Sequence, residues 1–249
     1  MSKKNEINIE QLLKKPTLPY EKFHELTKVN KHTKELDRSQ WPSEWMKISY
    51  KGYSRLPETI LPKPKLINGT LSQALIKRSS KREFKLFLSS QKISNLLYFA
   101  AGIKDLKTQT RFYPSAGARY PLEVYFVSIN CEIPTGLYHY YVKNNSLEQI
   151  GHLNLVGLHQ SLNKQEWLSS ASALIIITGV FLRNTIKYGS RGYRHILTEA
   201  GCMLQNIYLL SASQNISCCA IGGYLDDKIN DYLDIDGFSE SVLEVIGIG

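Results

Sequence analysis

Apolar and polar residues change their spacing several times along this 249-residue chain, and each spacing predicts an element. Between Tyr193 and Gln214 the apolar positions 196, 200, 203, 204, 207 and 210 recur at helical intervals. A helix of that length is ~30 Å long. Ala173 to Phe181 is almost continuously apolar, with Ile175, Ile176 and Ile177 in succession, which predicts a strand buried on both faces. Leu122 to Ile129 and Leu137 to Val142 are strand-like, the second following a Pro134-Thr135-Gly136 turn, and Val242 to Ile248 closes the chain as another strand. Thr70 or Ser72 caps a helix through Ile76, and Ile93 to Ala101 forms a second helix stopped by Gly102. Helices and strands mix without strict alternation, so the expected class is α+β rather than doubly wound.

The first 66 residues follow a different pattern. They are Lys-rich and hold six of the nine prolines (Pro16, Pro19, Pro42, Pro57, Pro62 and Pro64), a density that limits long helices. Short helices are expected at Ile9–Lys15 and Tyr20–Lys28, then an extended link from Leu61 to Leu66. Trp41, Trp45, Tyr50 and Tyr53 indicate that part of this segment packs on something, as a strap over the main domain or as a wall of a substrate groove. The expected division is a partly ordered extension, 1–66, and a main domain, 67–249.

Composition narrows the partners. Apolar residues make up 43% of the chain, which is ordinary for a globular protein. No apolar run reaches the ~18 residues that cross a bilayer; the longest, Ala173 to Leu182, is broken by Thr178 and Gly179. The basic N-terminus has no apolar stretch behind it, unlike a secretory signal. The four cysteines, Cys131, Cys202, Cys218 and Cys219, show no CxxC spacing. A reduced, cytoplasmic setting without a membrane partner is therefore expected. The net charge of +9 is scattered and carries no RNA-binding aromatic signature, so nucleic acid is not the expected partner. Seven of the nine arginines lie between Arg78 and Arg194, a bias that an anionic cofactor or peptide explains.

The usual nucleotide, zinc-protease and hydrolase fingerprints (GxGxxG, GxxxxGK[ST], HExxH, GxSxG) are missing. His195 and Cys202, seven apart on one helix, lie ~10 Å from each other, too far to share a metal ion, and no metal site is expected. Three clusters can carry chemistry. Arg78-Ser79-Ser80-Lys81-Arg82-Glu83-Phe84 past a helix end makes an anion cradle or a solvated basic turn. Pro114-Ser115-Ala116-Gly117-Ala118-Arg119-Tyr120-Pro121-Leu122-Glu123 has small residues that let backbone approach a flat ring. Lys187-Tyr188-Gly189-Ser190-Arg191-Gly192-Tyr193-Arg194 reads as a polar loop between the buried strand and the long helix.

Taken in order, R-x-S-x-R-x-F, PSAGARYPLE, KYG-x-RGYR, the E-A-G-x-x-x-Q-N helix from Glu199 to Asn206 and GGY-x-DD from Gly222 to Asp227 resemble the nitroreductase superfamily. They resemble most the azoline dehydrogenases of the streptolysin-S-biosynthesis type, which oxidise thiazolines and oxazolines to thiazoles and oxazoles in modified peptides. The resemblance covers roughly Thr70 to Gly249; WPSEW and YKGYSRLP, within Trp41 to Pro64, resemble the extension of that subfamily less specifically. It implies a mixed, mostly antiparallel sheet flanked by helices and a homodimer with intertwined helices. FMN would sit at the dimer interface. Arg78, Ser79, Ser80 and Arg82 match the motif that holds the flavin phosphate and pyrimidine edge. Pro114, Ser115, Ala116 and Gly117 match the loop over the ring, and Gly222 and Gly223 the segment whose backbone approaches it. Lys187 and Tyr188 match the catalytic pair. Ordinary nitroreductases carry further basic residues after the last strand. Here the sequence stops at Gly249, so Arg191 or Arg194 is expected to supply phosphate contacts.

The implied reaction removes a proton from Cα and a hydride from Cβ of the azoline; the redox step belongs to the cofactor. An ordinary lysine, with a pKa of ~10.4, is a poor base at neutral pH, so burial beside Arg191 and Arg194 would have to depress it. Lys187 and Tyr188 both stay open as the base. The expected substrate is an azoline-containing peptide or carrier-bound intermediate, with O₂ reoxidising the flavin and a cyclodehydratase complex as partner. An NAD(P)H-dependent nitro or quinone reductase and a non-catalytic flavin- or peptide-binding scaffold are the alternatives.

Overall fold

The computed structural model describes residues 18–29, 38–163, 165, 167 and 170–249. The chain divides into two compact units, Met1–Gln40 and Trp41–Gly249. In the first, helix α1 spans Pro19–Leu26, with Pro19 in the first turn and the Glu21 carboxylate accepting from the Leu18 amide at 2.7 Å. The helix expected at Ile9–Lys15 lies outside the described residues.

The second unit is built on a seven-stranded sheet. Its strands are β1 (Glu58–Ile60), β4 (Leu122–Ser128), β5 (Gly136–Tyr141), β6 (Ser146–Gly151), β7 (Ala173–Val180), β8 (Cys218–Ile221) and β9 (Glu240–Ile248), ordered β1-β6-β5-β4-β7-β9-β8. Every neighbouring pair is antiparallel. The sheet is thus more uniform than the mixed one expected; a lone parallel bridge, Leu88 to Cys131, lies outside the named strands. A separate ribbon pairs β2 (Ile103–Asp105) with β3 (Thr110–Arg111).

β4 and β7 run side by side from Leu122↔Gly179 to Ser128↔Ala173. Nearly all their residues are buried, because helices cover both faces. Val124, Phe126, Ile175 and Ile177 point into one core with α3 (Ser90–Ala101) and α6 (Arg191–Ser213). Tyr125, Val127, Leu174 and Ile176 point into the other, with α4 (Leu155–Ser161) and α7 (Asp226–Tyr232). α2 (Leu71–Lys77) is capped by Thr70, whose hydroxyl accepts from the Gln73 amide, so of the two expected caps Thr70 is used.

Two expectations change. The compact unit begins at Trp41, not at 67, because residues of the expected extension are part of the sheet and its core. β1 pairs with β6, and Ile48 and Tyr50 pack against the core. The polar 187–194 segment is not a loop. A short helix, α5 (Leu182–Tyr188), follows β7 directly and ends where Gly189 takes φ +53°. α6 begins two residues later at Arg191. The helices can close up because position 192 is glycine: an added Cβ would lie 3.0 Å from the Thr185 backbone.

Candidate functional site

The Pro114–Gly117 segment leads into β4 and is held in a costly conformation. Gly117, Ala118 and Tyr120 have φ of 63°, 52° and 47°. Left-handed non-glycine residues cost ~1–3 kcal/mol each and persist only where the surroundings dictate them. Here the surroundings are explicit. The Ser115 hydroxyl accepts from the Tyr120 amide at 2.9 Å, and the Ala116 amide donates to Glu199 Oε1 at 2.9 Å. Arg119, buried, donates from Nε to the Arg183 carbonyl at 2.5 Å and from Nη1 to the Glu44 carbonyl at 2.8 Å. That last bond ties the Ser43–Met46 turn to the same place.

Lys187 and Tyr188 converge on this segment from the end of α5. A Cβ added to Gly117 would lie 2.6 Å from Tyr188 Oη and 3.1 Å from Lys187 Nζ, so glycine is what lets both side chains reach the backbone. Lys187 Nζ sits 3.7 Å from the Trp41 ring centre, a cation–π distance. Trp41 itself leans on Trp45. Burial raises the Tyr188 hydroxyl above its ordinary pKa of 10, with Arg119 opposing, so at neutral pH it is a phenol.

Glu199, from α6, is buried behind the same segment. Burial pushes its carboxyl up to about 7, against the Ala116 amide, the Ser115 hydroxyl, Asn184 and the Arg111 charge. The sequence shows Glu199 only as part of a helix motif; its burial and its near-neutral titration needed the fold.

The basic cluster lies elsewhere. Arg78 caps α2 and places its guanidinium 5.7 Å from the Tyr208 ring centre, and the Ser80 hydroxyl is 3.1 Å from Tyr208 Oη. Arg82 stands over Trp167, which stacks on Phe84. Gln165 joins this group to Gly223, whose carbonyl it reaches at 3.2 Å. A cavity of about 310 Å³ opens beside the cluster, lined by Lys77, Ser79, Lys81, Tyr208 and Ser217 among others.

Within one chain the structure therefore forms two groups. Pro114–Gly117, Lys187, Tyr188 and Glu199 form the first; Arg78, Ser79, Ser80, Arg82 and the Gly222–Gly223 segment after β8 form the second. Glu199 and Tyr208 mark them on α6, nine residues and ~13 Å apart. Arg191 and Arg194 lie in the first turns of α6, on the side of the first group. From Arg191 to Tyr208 is ~25 Å along the helix, so one chain does not bring these arginines to the Arg78–Arg82 cluster.

Sequence reasoning missed a buried ionic network that anchors the segment after Trp41. His139 places Nε2 3.1 Å from Glu123 and Nδ1 2.9 Å from Glu148. Arg183 pairs with Glu123 at 2.5 Å. Burial alone would raise the Glu123 carboxyl, but His139 and Arg183 outweigh it and hold it at about 2. The Tyr53 amide donates to Glu148, while Lys51 Nζ meets Tyr125 and Glu240. The alternation of Glu123 and Tyr125 along β4 was the available signal, but nothing local names their partners. Among the described residues no group of three or more His, Cys, Asp or Glu could hold a metal ion, and no helix is long and apolar enough to cross a membrane.

This fold is that of an oxidoreductase class: the chain belongs to the nitroreductase family, whose pattern matches residues 75–249. A nitroreductase-like protein of Desulfovibrio desulfuricans with a similar fold was solved in complex with FMN. A nitroreductase-family protein of Methanocaldococcus jannaschii is 34% identical over 173 residues, 66% of this chain and 84% of that one. The microcin B17-processing protein McbC of Escherichia coli is 31% identical over 156 residues, 60% of this chain and 57% of McbC. The E. coli microcin synthetase McbBCD complex, solved with truncated pro-MccB17 bound, contains a chain that superimposes with a TM-score of 0.61 and 25% identity. The match covers 96% of this chain and 85% of that one. A nitroreductase-like protein of Anabaena variabilis gives a TM-score of 0.69 at 27% identity; 91% of this chain is matched but only 45% of that longer one. The chain thus spans little more than half of McbC and less than half of the Anabaena protein.

Proposed function

We propose that this protein is an FMN-dependent dehydrogenase, acting as a homodimer, that oxidises thiazoline or oxazoline rings to thiazoles or oxazoles in a modified peptide or carrier-bound intermediate. O₂ is the acceptor that reoxidises the flavin, and the cyclodehydratase that forms the azoline is the natural partner. The observation that carries this reading is the convergence of Lys187 Nζ and Tyr188 Oη on Gly117, since a simple reductase has no evident need for a Lys-Tyr pair there. The resemblance to azoline dehydrogenases and the likeness to McbC support it.

The residues present suit FMN. Arg78 and Arg82, with the Ser79 and Ser80 hydroxyls, are donors matched to a phosphate and a pyrimidine edge, beside a cavity that also presents Lys77 and Lys81. Pro114–Gly117 would cover the ring. Gly222, where an added Cβ meets nothing within 4 Å, and Gly223 would offer backbone to it. The separation of the two groups along α6 favours a second copy completing the site, with Arg191 and Arg194 reaching it across the dimer. Leu71, Leu75 and Ile76 of α2 and Leu197 of α6 remain exposed as an apolar face for that copy.

Bound FMN would supply the two-electron oxidation. Lys187, lying over the Trp41 ring, orients the substrate by donating hydrogen bonds. Tyr188, a neutral phenol, moves the proton released at the azoline Cα. A positioned acid–base group contributes ~10²–10⁴-fold in rate.

The test is mass spectrometry of thiazoline- and oxazoline-bearing peptides after incubation with FMN-reconstituted protein. The expected result is loss of two hydrogens per ring, absent in flavin-loaded Lys187→Ala. Unchanged peptides with fully flavin-loaded protein that reduces a quinone with NAD(P)H would reject the reading in favour of a reductase.

A further inference from the structure

Behind the Pro114–Gly117 segment lie polar atoms without a hydrogen-bond partner, although the Arg111 guanidinium also faces the Tyr50 and Tyr120 rings. Arg111 Nε and Nη2, Tyr113 Oη, Asn184 Oδ1 and Glu199 Oε2 are buried and make no hydrogen bond among the described residues. Their side chains are almost wholly enclosed: Arg111 is 5% exposed, Tyr113 2%, Asn184 0% and Glu199 4%. They come from β3, the segment after it, α5 and α6, and they share one neighbourhood. Asn184 Nδ2 reaches Glu199 Oε1 at 3.4 Å, and the charges of Arg111 and Glu199 both act on Tyr113. Three of the atoms carry hydrogens to donate and two accept, so the set is complementary.

A buried polar group without a partner is destabilising, and five such atoms on residues that act on one another call for water. Buried water occupies sites where several such groups converge. We propose that these groups enclose a small hydrated chamber, and that Glu199 is its proton-exchanging member, storing the proton that Tyr188 relays from the substrate and releasing it to water. This deepens the azoline reading and rests on it for the source of the proton.

The transfer balances simply. The Tyr188 O–H passes its proton through chamber water to Glu199 Oε2, where a carboxyl O–H forms. The Tyr188 oxygen takes the proton leaving the substrate carbon, and the electron pair of that C–H bond stays on the substrate. Tyr188, a phenol at neutral pH, is not a ready final acceptor. A carboxyl held near neutrality is matched to the task. The charged or titratable groups bearing on it are Arg111 from β3, Tyr113 from the following segment and Tyr188 from α5, with Glu123 beyond Tyr113. Glu199 acts through Tyr188 and is a positioning residue.

The test begins with infrared spectra of the cofactor-free protein across a pH series. A protonated-carboxyl band that fades with a midpoint near 7, and is missing in Glu199→Gln, is expected. In the flavin-loaded enzyme, Glu199→Gln should flatten the kcat limb near that pH with KM little changed. Tyr113→Phe separates a wet chamber from a dry one without depending on Glu199. Losing a hydroxyl bonded to water lowers the thermal midpoint; losing a dry, unpaired one raises it. No band titrating near neutrality, or a Tyr113→Phe protein that melts higher, overturns the proposal. A titrating band in a protein that leaves azolines untouched upholds the chamber and rejects the substrate reading alone.

Discussion

Gly117→Ala perturbs the point where the loop meets both catalytic candidates. The new Cβ would stand 2.6 Å from Tyr188 Oη, whereas ordinary contact begins at 3.4 Å, so the hydroxyl must retreat by 3.4 − 2.6 = 0.8 Å or the loop must lift by as much. Lys187 Nζ, at 3.1 Å, gives way less. The backbone adds its own cost, because φ is +63° and an L-residue there loses ~1–2 kcal/mol. For a chain of this size each kcal/mol lowers Tm by ~2–4 °C, so a drop of ~2–8 °C is expected. The rate should suffer more than the stability: misplacing a reacting group by ~1 Å costs ~10²-fold. Azoline turnover by mass spectrometry, flavin occupancy by absorbance and melting by calorimetry separate these effects. A variant with full flavin, a modest Tm loss and turnover within about twofold of the parent would show that Tyr188 and Lys187 do not work against Gly117.

Arg78→Ala should loosen FMN ~10- to 100-fold through loss of a charge-assisted contact of ~1.5–3 kcal/mol; unchanged binding in a fluorescence titration would return Arg78 to a solvated turn. Tyr188→Phe should keep fold and flavin yet slow azoline oxidation ~10²–10⁴-fold if the hydroxyl moves the proton, and a parent-like rate at full flavin would remove it from the reaction. Glu199 makes stability pH-dependent. Its carboxyl lies at about 7 in the fold against an ordinary 4.5, so the fold favours the neutral form. That contribution is complete below pH ~4.5, disappears as pH rises through about 7, and is worth ~3 kcal/mol; a Glu199→Gln protein with the same pH–Tm slope would refute it. His139→Ala leaves Glu123 and Glu148 facing each other with a buried gap between them, and should cost ~3–5 kcal/mol, read as a lowered denaturation midpoint.

Local pattern made the frame of the fold legible. The strands β4, β7 and β9 and the helix α6 were readable because burial on two faces, or along one stripe, leaves a periodic trace. The 182–188 helix was not: Arg183, Asn184 and Thr185 look like loop residues, and only the fold shows Arg183 and Asn184 buried. The boundary at Trp41 was hidden for a similar reason. Prolines and lysines signal an extension, while the bonds that join it to the sheet run from Lys51 to Glu240 and from Tyr53 to Glu148, across separations no window spans. Of the site, the glycine loop and the Lys-Tyr pair could be read as motifs because small residues and charged tips are conspicuous. Their meeting at Gly117, the Trp41 ring against Lys187 and the burial of Glu199 depend on which faces α5 and α6 turn inward, and sequence spacing does not encode that.

The central claim is that electrons enter the flavin from an azoline. It is tested most directly by mixing FMN-loaded protein with a thiazoline- or oxazoline-bearing peptide under anaerobic conditions, with no nicotinamide present, and following the flavin absorbance. The account predicts bleaching by the azoline peptide, recovery on admitting air and no bleaching in Tyr188→Phe on the same timescale. Flavin that stays oxidised with every azoline peptide, yet bleaches at once with NADH or NADPH, would contradict it.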